Sequence, residues 1–272
     1  MPELHLPDPL VTASGADVVT VGGVDLRYHR RGDDAEVELT GAGGRAAGPD
    51  LAQALVDALA ALADRAAAAG ATLHLAAEHP AEELDPLPEA VADAAGLTSR
   101  RDLLQLRRPL PVPADHPARA AAPSLVVRPF RPSDADAWLR VNNRAFASHP
   151  DQGRETHATL AQRTAEPWFD PAGFLVADDP ARPGELAGSC WTKVHPATAD
   201  DPVLGEIYVI GVDPSHRGEG LGPAFVLAGL DHLAGQGIGV ANLYVEADNE
   251  PARRLYDRLG FTTHSRRRVY RS

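Results

Sequence analysis

Apolar residues recur along this chain with a period of two in some stretches and of three to four in others, so strands and helices alternate. Val18–Val21 and Val24–Tyr28 flank Gly22-Gly23 as a possible hairpin. Glu36–Thr40 reads as a strand. Pro49 opens a helix with Leu51, Leu55, Leu59 and Leu62 on one face, and Gly70 closes it. Thr72–Ala76 reads as a strand and Glu89–Ala95 as a short helix. Gly96-Leu97-Thr98 then leads into an arginine-rich strand.

The second half begins with a short strand signal, Leu125–Arg128. Ser133 or Asp134 is placed to cap a helix reaching about Ala147, and another helix falls near Glu155–Ala165. Gly173–Ala177, Leu186–His195 and Gly205–Val212 read as strands. A glycine loop comes next, then a helix with Pro223 in its first turn, where a missing N–H costs little. Gly235 and Gly237 end that helix. Asn242–Glu246 is a strand, Glu250–Leu259 a helix and Thr262–Tyr270 a last strand.

Gly260-Phe261-Thr262 stands where the first half has Gly96-Leu97-Thr98. The order strand, glycine loop, helix, strand, helix, Gly-apolar-Thr, strand therefore occurs twice. This predicts a diverged internal duplication whose first copy lacks the two opening helices. Between the copies, Arg108–Pro123 holds five prolines among small residues and is expected to be an extended connector. The expected organisation is a degenerate, partial domain over 1–107, a linker over 108–123 and a catalytic domain over 124–272.

Composition narrows the possibilities. A formal net charge of -12 over 272 residues repels nucleic-acid phosphates and anionic membranes. It tolerates an amine-bearing substrate. The single cysteine, Cys190, excludes an internal disulfide and a Cys-based zinc site, and its apolar flanks place it on a buried strand. The histidines are scattered without metal-ligand spacing, so no metal is expected. No apolar run is long enough to span a bilayer and no signal-peptide pattern opens the chain. The expected protein is cytoplasmic and monomeric, with neither nucleic acid nor membrane as partner.

The sharpest chemical signal is Arg217-x-x-Gly220-x-Gly222, between an apolar strand and a helix. Glycines entering a helix expose backbone N–H groups where the helix dipole is positive, and the two together bind a pyrophosphate. The Walker A and Rossmann spacings are absent. Downstream lies Asn249-x-x-Ala252-x-x-Leu255-Tyr256-x-x-x-Gly260-Phe261.

With the arginine-glycine loop, this pattern resembles motifs A and B of the GNAT acetyltransferase superfamily. The resemblance extends further, through His149-Pro150-Asp151-Gln152-Gly153, Trp168-Phe169-Asp170-Pro171, Trp191-Thr192-Lys193-Val194-His195-Pro196, Gly205–Pro214 and Leu243-Tyr244-Val245-Glu246. These are similar to the mycothiol synthase family, whose members are tandem GNAT proteins with a working C-terminal domain. The implied fold is α/β, with two GNAT-like mixed-sheet domains, the N-terminal one incomplete and degenerate. The implied reaction is acetylation of the cysteinyl amine of cysteinyl-glucosaminyl-inositol by acetyl-CoA. Another small-molecule or peptide amine as acceptor, or a non-catalytic coenzyme-A-binding protein, stays open.

Direct amine attack on a thioester needs a neutral amine, a stabilised oxyanion and protonation of the leaving thiolate. Glu206, at the start of its apolar strand, is expected as the base, against a salt-bridged strand-end Glu. The resemblance places Tyr256 as the acid; by itself a tyrosine on an amphipathic helix reads as packed core. Ile210, Gly211 and Val212 would offer backbone to the pantetheine arm, on a strand that in this superfamily splays from its neighbour. Arg217, Gly218, Glu219, Gly220, Leu221, Gly222 and Pro223 would hold the pyrophosphate. Asn249, Glu250, Pro251, Ala252, Arg253 and Arg254 would meet the rest of the coenzyme. Asp151, Lys193, Glu206 and Tyr244 match acceptor-contacting positions, with Asp151 where the family usually carries Glu. In the first copy, Arg45-x-x-Gly48-x-Asp50 puts an acid where the last glycine should be, which would repel a pyrophosphate.

Overall fold

The computed structural model describes residues 17–31, 34–41, 49–81, 85–147, 153–199 and 201–271. In chain order the elements are β1 (Asp17–Val21), β2 (Val24–Arg31), β3 (Asp34–Thr40), α1 (Pro49–Ala68), β4 (Thr72–Pro80), α2 (Pro86–Ala94) and β5 (Ser99–Pro109). Then come α3 (Pro117–Ala121), β6 (Arg128–Pro129), α4 (Ala135–Ala145), α5 (His157–Thr164), β7 (Phe174–Asp178), β8 (Leu186–His195) and β9 (Leu204–Val212). After these come α6 (Leu221–Gly235), β10 (Val240–Glu246), α7 (Glu250–Arg258) and β11 (Thr262–Arg271).

Two compact units are interleaved in sequence. The first takes residues 1–105, 245–249 and 263–272, and the second takes 106–244 and 250–262. In the first, the strand order is β1-β2-β3-β4-β11-β5. β3 and β4 run parallel, as the crossover through α1 requires, whereas β11 runs antiparallel to β4, with Arg268 opposite Ala77. The core forms where Leu55, Leu59 and Leu62 of α1 meet Leu26, Val37, Leu75 and Tyr270. Their spacing puts the three leucines on one helical face, and burial of each side chain contributes roughly 1.5–3 kcal/mol.

The second unit has the order β10-β9-β8-β7-β6. Gly229 of α6 lies so close to the sheet that an added Cβ would sit 2.7 Å from Cys190 Sγ and 2.8 Å from Ile207 Cδ1. α4 covers the other face, where Trp138, Val141, Phe174 and Trp191 pack together. Trp191 stacks on Phe174 with ring centroids 4.2 Å apart.

Two expectations need correction. The strand expected at Leu125–Arg128 shrinks to Arg128–Pro129, and Val126 is exposed. Its β-branched residues signal extended backbone, but among the described residues they have no partner strand to bury against. The proline-rich connector is not extended throughout, because Pro117 occupies the first turn of α3 and His116 caps it, its Nδ1 accepting from Ala118 N. Proline is compatible with that position because its N–H would be unpaired anyway.

Candidate active site

β9 is the axis of the site. On one side it pairs antiparallel with β8 along its whole length, from Leu204 opposite His195 to Val212 opposite Gly188. The register skips Tyr208, since Ile207 faces Thr192 and Val209 faces Trp191. This is a β-bulge, which bends its strand and sharpens the local twist. On the other side β9 pairs parallel with β10 only from Leu204 to Glu206, opposite Val240 to Asn242. Beyond the bulge no pairing joins the two strands among the described residues. Ile207–Val212 and Leu243–Tyr244 therefore part, and the β9 backbone expected to receive an extended ligand lies along that opening.

The strand then feeds the glycine loop. Asp213 is followed by a 3-10 turn, Pro214–His216, and by Gly218 and Gly220 with φ of +89° and +76°. Such left-handed backbone favours glycine. Gly220 is the N-cap of α6 and supplies no side-chain hydrogen bond, so the first N–H groups of the helix receive none from their cap residue. Arg217 is exposed and makes no ion pair among the described residues. Anion-binding chemistry thus fits these residues. A cavity of about 220 Å³ adjoins the loop, lined among others by Ala118 and Ala121 of α3, Gly220, Pro223, Leu255 and Arg258.

A set of charges unforeseen from the sequence holds the loop. The buried Asp213 carboxylate accepts from Ser215 N at 2.9 Å and Ser215 Oγ at 2.6 Å, and is paired with Arg144. Burial opposes its ionisation, but the Ser215 bonds and Arg144 together hold its carboxyl well below the usual range. The buried Asp179 accepts from Arg182 Nε at 2.7 Å and from His216 Nε2 at 2.9 Å. The His216 bond is the chief cause of its carboxyl falling to about 2. His216 Nδ1 lies 2.9 Å from Glu219 Oε2, so both ring nitrogens face carboxylates. Asp179 and Glu219 together raise its pKa above the ordinary value.

Glu206 is 7% exposed, and its Oε2 lies 2.6 Å from His195 Nε2. Lys193, opposite Glu206 in the β8–β9 register, turns its Nζ onto Trp168 and Tyr208, 4.5 and 5.3 Å from the ring centroids. Arg163 also lies over Tyr208 and pairs with Glu155 at 2.6 Å. Tyr244 is exposed. Asp151 lies outside the described residues, as does the first copy's Arg45 and Gly48 loop.

Tyr256 projects from α7 and is 8% exposed, with its ring edge-on to Phe261 at 5.8 Å. Burial, assisted by the nearby Cys190 thiol, pushes its phenol well above the ordinary value, so it keeps its proton at neutral pH. Cys190 is itself fully buried and pushed up to about 12, chiefly by desolvation, which makes it inert. Strand alternation turns Cys190 to the α6 face and Glu206 to the opposite face. The acid and base candidates thus approach the sheet from different sides.

Asn249 sits in the turn before α7, its N–H donating to Glu246 O at 3.0 Å. Arg254 pairs with Glu250 at 2.8 Å on the exposed surface of α7. The sequence pattern does not single out His195, Arg163, Asp179, Arg182 or His216. For His195 a signal is present: two residues beyond Lys193 on one strand, it shares that lysine's face.

Residues 138–261 match the model of the acetyltransferase (GNAT) family. The structure is similar to a GCN5-related N-acetyltransferase from Sphaerobacter thermophilus, with a TM-score of 0.65 at 23% identity over 96% of this chain and 78% of that one. It is also similar to a tandem GNAT protein from the clavulanic acid biosynthesis pathway, with a TM-score of 0.60 over 97% and 84% of the two chains. Both likenesses show the fold. Mycothiol acetyltransferase of Acidimicrobium ferrooxidans is 46% identical over 90% of this chain and 76% of its own length. That of Kocuria rhizophila is 47% identical over 69% of this chain, and that of Thermomonospora curvata 49% over 67%. The chain spans 62% and 59% of the lengths of these last two. With its matching GNAT fold and nearly half its residues shared along most of the Acidimicrobium relative, the chain belongs to the mycothiol acetyltransferase family.

Proposed function

We propose that the chain transfers the acetyl group of acetyl-CoA to the cysteinyl amine of cysteinyl-glucosaminyl-inositol. The observation that carries this reading is the parting of β9 and β10 just past Glu206 and Asn242, with β9 leading through the glycine loop to a helix N-terminus whose cap residue, Gly220, supplies no side-chain hydrogen bond. Backbone N–H groups between Gly218 and Gly222 receive the pyrophosphate, and Arg217 adds charge at its rim. Ile210, Gly211 and Val212 offer main-chain groups to the pantetheine arm, as an edge strand would.

Glu206 removes a proton from the acceptor ammonium, leaving a neutral nucleophile. The amine nitrogen forms a bond to the acyl carbon while the carbon–sulfur bond breaks. Tyr256, kept protonated by burial, gives its proton to the departing sulfur, and the second proton of the attacking nitrogen, released as the amide forms, returns the phenolate to the phenol. Lys193, Trp168 and Tyr208 form the wall for the polyhydroxylated part of the acceptor, where aromatic faces and one ammonium suit sugar hydroxyls. Asp151 and Tyr244 complete the acceptor set by their match to the family's contacting positions. Asn249, Glu250, Pro251, Ala252, Arg253 and Arg254 lie along the coenzyme's remaining length.

Mass spectrometry of the acceptor after incubation with acetyl-CoA tests the reading, with one acetyl group gained on nitrogen as the expected result. Glu206→Gln is expected to lower turnover roughly 10²- to 10⁴-fold while calorimetry still records acetyl-CoA uptake. Undiminished turnover in that variant would remove Glu206 from the role of base.

A further inference from the structure

Glu206 has an ammonium group opposite it in the sheet and does not use it. Lys193 faces Glu206 across the β8–β9 register, yet no ion pair joins them among the described residues, and Lys193 lies on Trp168 and Tyr208 instead. The partner of the carboxylate is His195, two residues further along β8 and so on the same face. A carboxylate only accepts hydrogen bonds, so Nε2 carries the hydrogen in this 2.6 Å contact. Oε2 is thereby committed, and Oε1 is left for another donor.

The choice of partner has chemical consequences. A lysine ammonium against the carboxylate would hold it ionised and weaken it as a base. The imidazole N–H of His195 instead fixes its direction through one hydrogen bond. The Glu206 side chain is only 10% exposed, so solvent does not compete strongly for the oxygen that His195 holds, whereas His195 itself is 36% exposed. His195 is anchored as the last residue of β8, with its backbone opposite Leu204 at the start of β9.

We infer that His195 is a positioning residue for the acetyl-transfer base: it pins Oε2 of Glu206 and so aims Oε1 at the acceptor amine. This role rests on the acetyl-transfer reading above.

Two measurements test it on the full chain. In steady-state assays with acetyl-CoA and cysteinyl-glucosaminyl-inositol, His195→Ala is expected to lower kcat roughly 10- to 100-fold, the size of effect that misaligning a reacting group produces. KM for acetyl-CoA should stay unchanged. His195→Gln, whose amide N–H reaches the same oxygen, should recover most of the rate. Wild-type kcat in His195→Ala overturns the proposal, and so does a His195→Gln as slow as the alanine variant. The second measurement needs no acceptor. Imidazole NMR on isotope-labelled protein should show His195 with its proton on Nε2, perturbed in Glu206→Gln; a proton on Nδ1 alone overturns the proposal. A wild-type chain that transfers no acetyl group, with the Nε2–H signal present, sinks the functional reading and this role with it. Failure of the histidine variants alone sinks only the positioning.

Discussion

Two single residues beside the site have opposite relations to stability. Asn242 is 1% exposed and its Oδ1 has no hydrogen-bond partner among the described residues. An unsatisfied buried polar atom costs about 1–3 kcal/mol, so Asn242→Leu, with the same branched arrangement of side-chain heavy atoms, is expected to raise the midpoint of thermal unfolding. A lowered midpoint would mean that the amide is satisfied in solution. Gly220 is the reverse case. Its φ is +76°, and a Cβ there would lie 3.2 Å from Pro123 Cδ. Gly220→Ala should therefore lose about 1–2 kcal/mol in denaturant unfolding, the usual penalty for a side chain in left-handed backbone. Calorimetry should show weaker acetyl-CoA uptake as well.

Among the elements, the glycine loop depends on an imidazole held between two carboxylates. His216 meets Asp179 and Glu219 through both ring nitrogens, with Arg182 sharing Asp179 and Asp213 held one turn away by Ser215 and Arg144. Its pKa is raised in the folded state. The stabilisation it provides is complete below its ordinary value of 6.5 and is lost as pH rises through the folded value. Asp179, lowered to about 2, acts in the other direction: its contribution is complete above its ordinary 3.8 and is lost as pH falls toward about 2. Unfolding midpoints and acetyl-CoA affinity should both decline as pH rises above 6.5 and through the folded value, and His216→Asn should flatten that decline. A pH-independent affinity in the wild type would show that the loop does not need the imidazolium.

The elements differ in how clearly the sequence announces them. α1 and β8 are legible because one has leucines at helical spacing and the other a long run that suits a strand buried on both faces. The loop from Asp213 to Gly222 is legible because glycine is required where φ is positive. α3 is not, since prolines read as extended chain unless the first one falls in a helical first turn. The Glu206–His195 contact is hidden for another reason. It depends on a register across two strands, and no local pattern states that Lys193 turns away from the carboxylate opposite it.

For the molecule as a whole, the sequence order of the repeat is not the order of its compact units. β11 leaves the second half of the chain and lies between β4 and β5 in the first unit, where Tyr270 joins the core and Arg268 pairs with Asp102 at 2.6 Å. Removing residues 263–272 should strip that sheet of an interior strand. Limited proteolysis of such a truncated chain is expected to cut within residues 17–105 far sooner than in the full chain. Equal resistance would show that the first unit holds without β11.

This placement also bears on how the protein is made. A ribosome delivers β4 and β5 early, yet the strand that belongs between them emerges only after nearly all of the second unit. Until then the nascent first unit carries two strand edges that are open to mispairing. Its maturation therefore waits on the arrival of β11, and chaperone dependence should be concentrated in that interval.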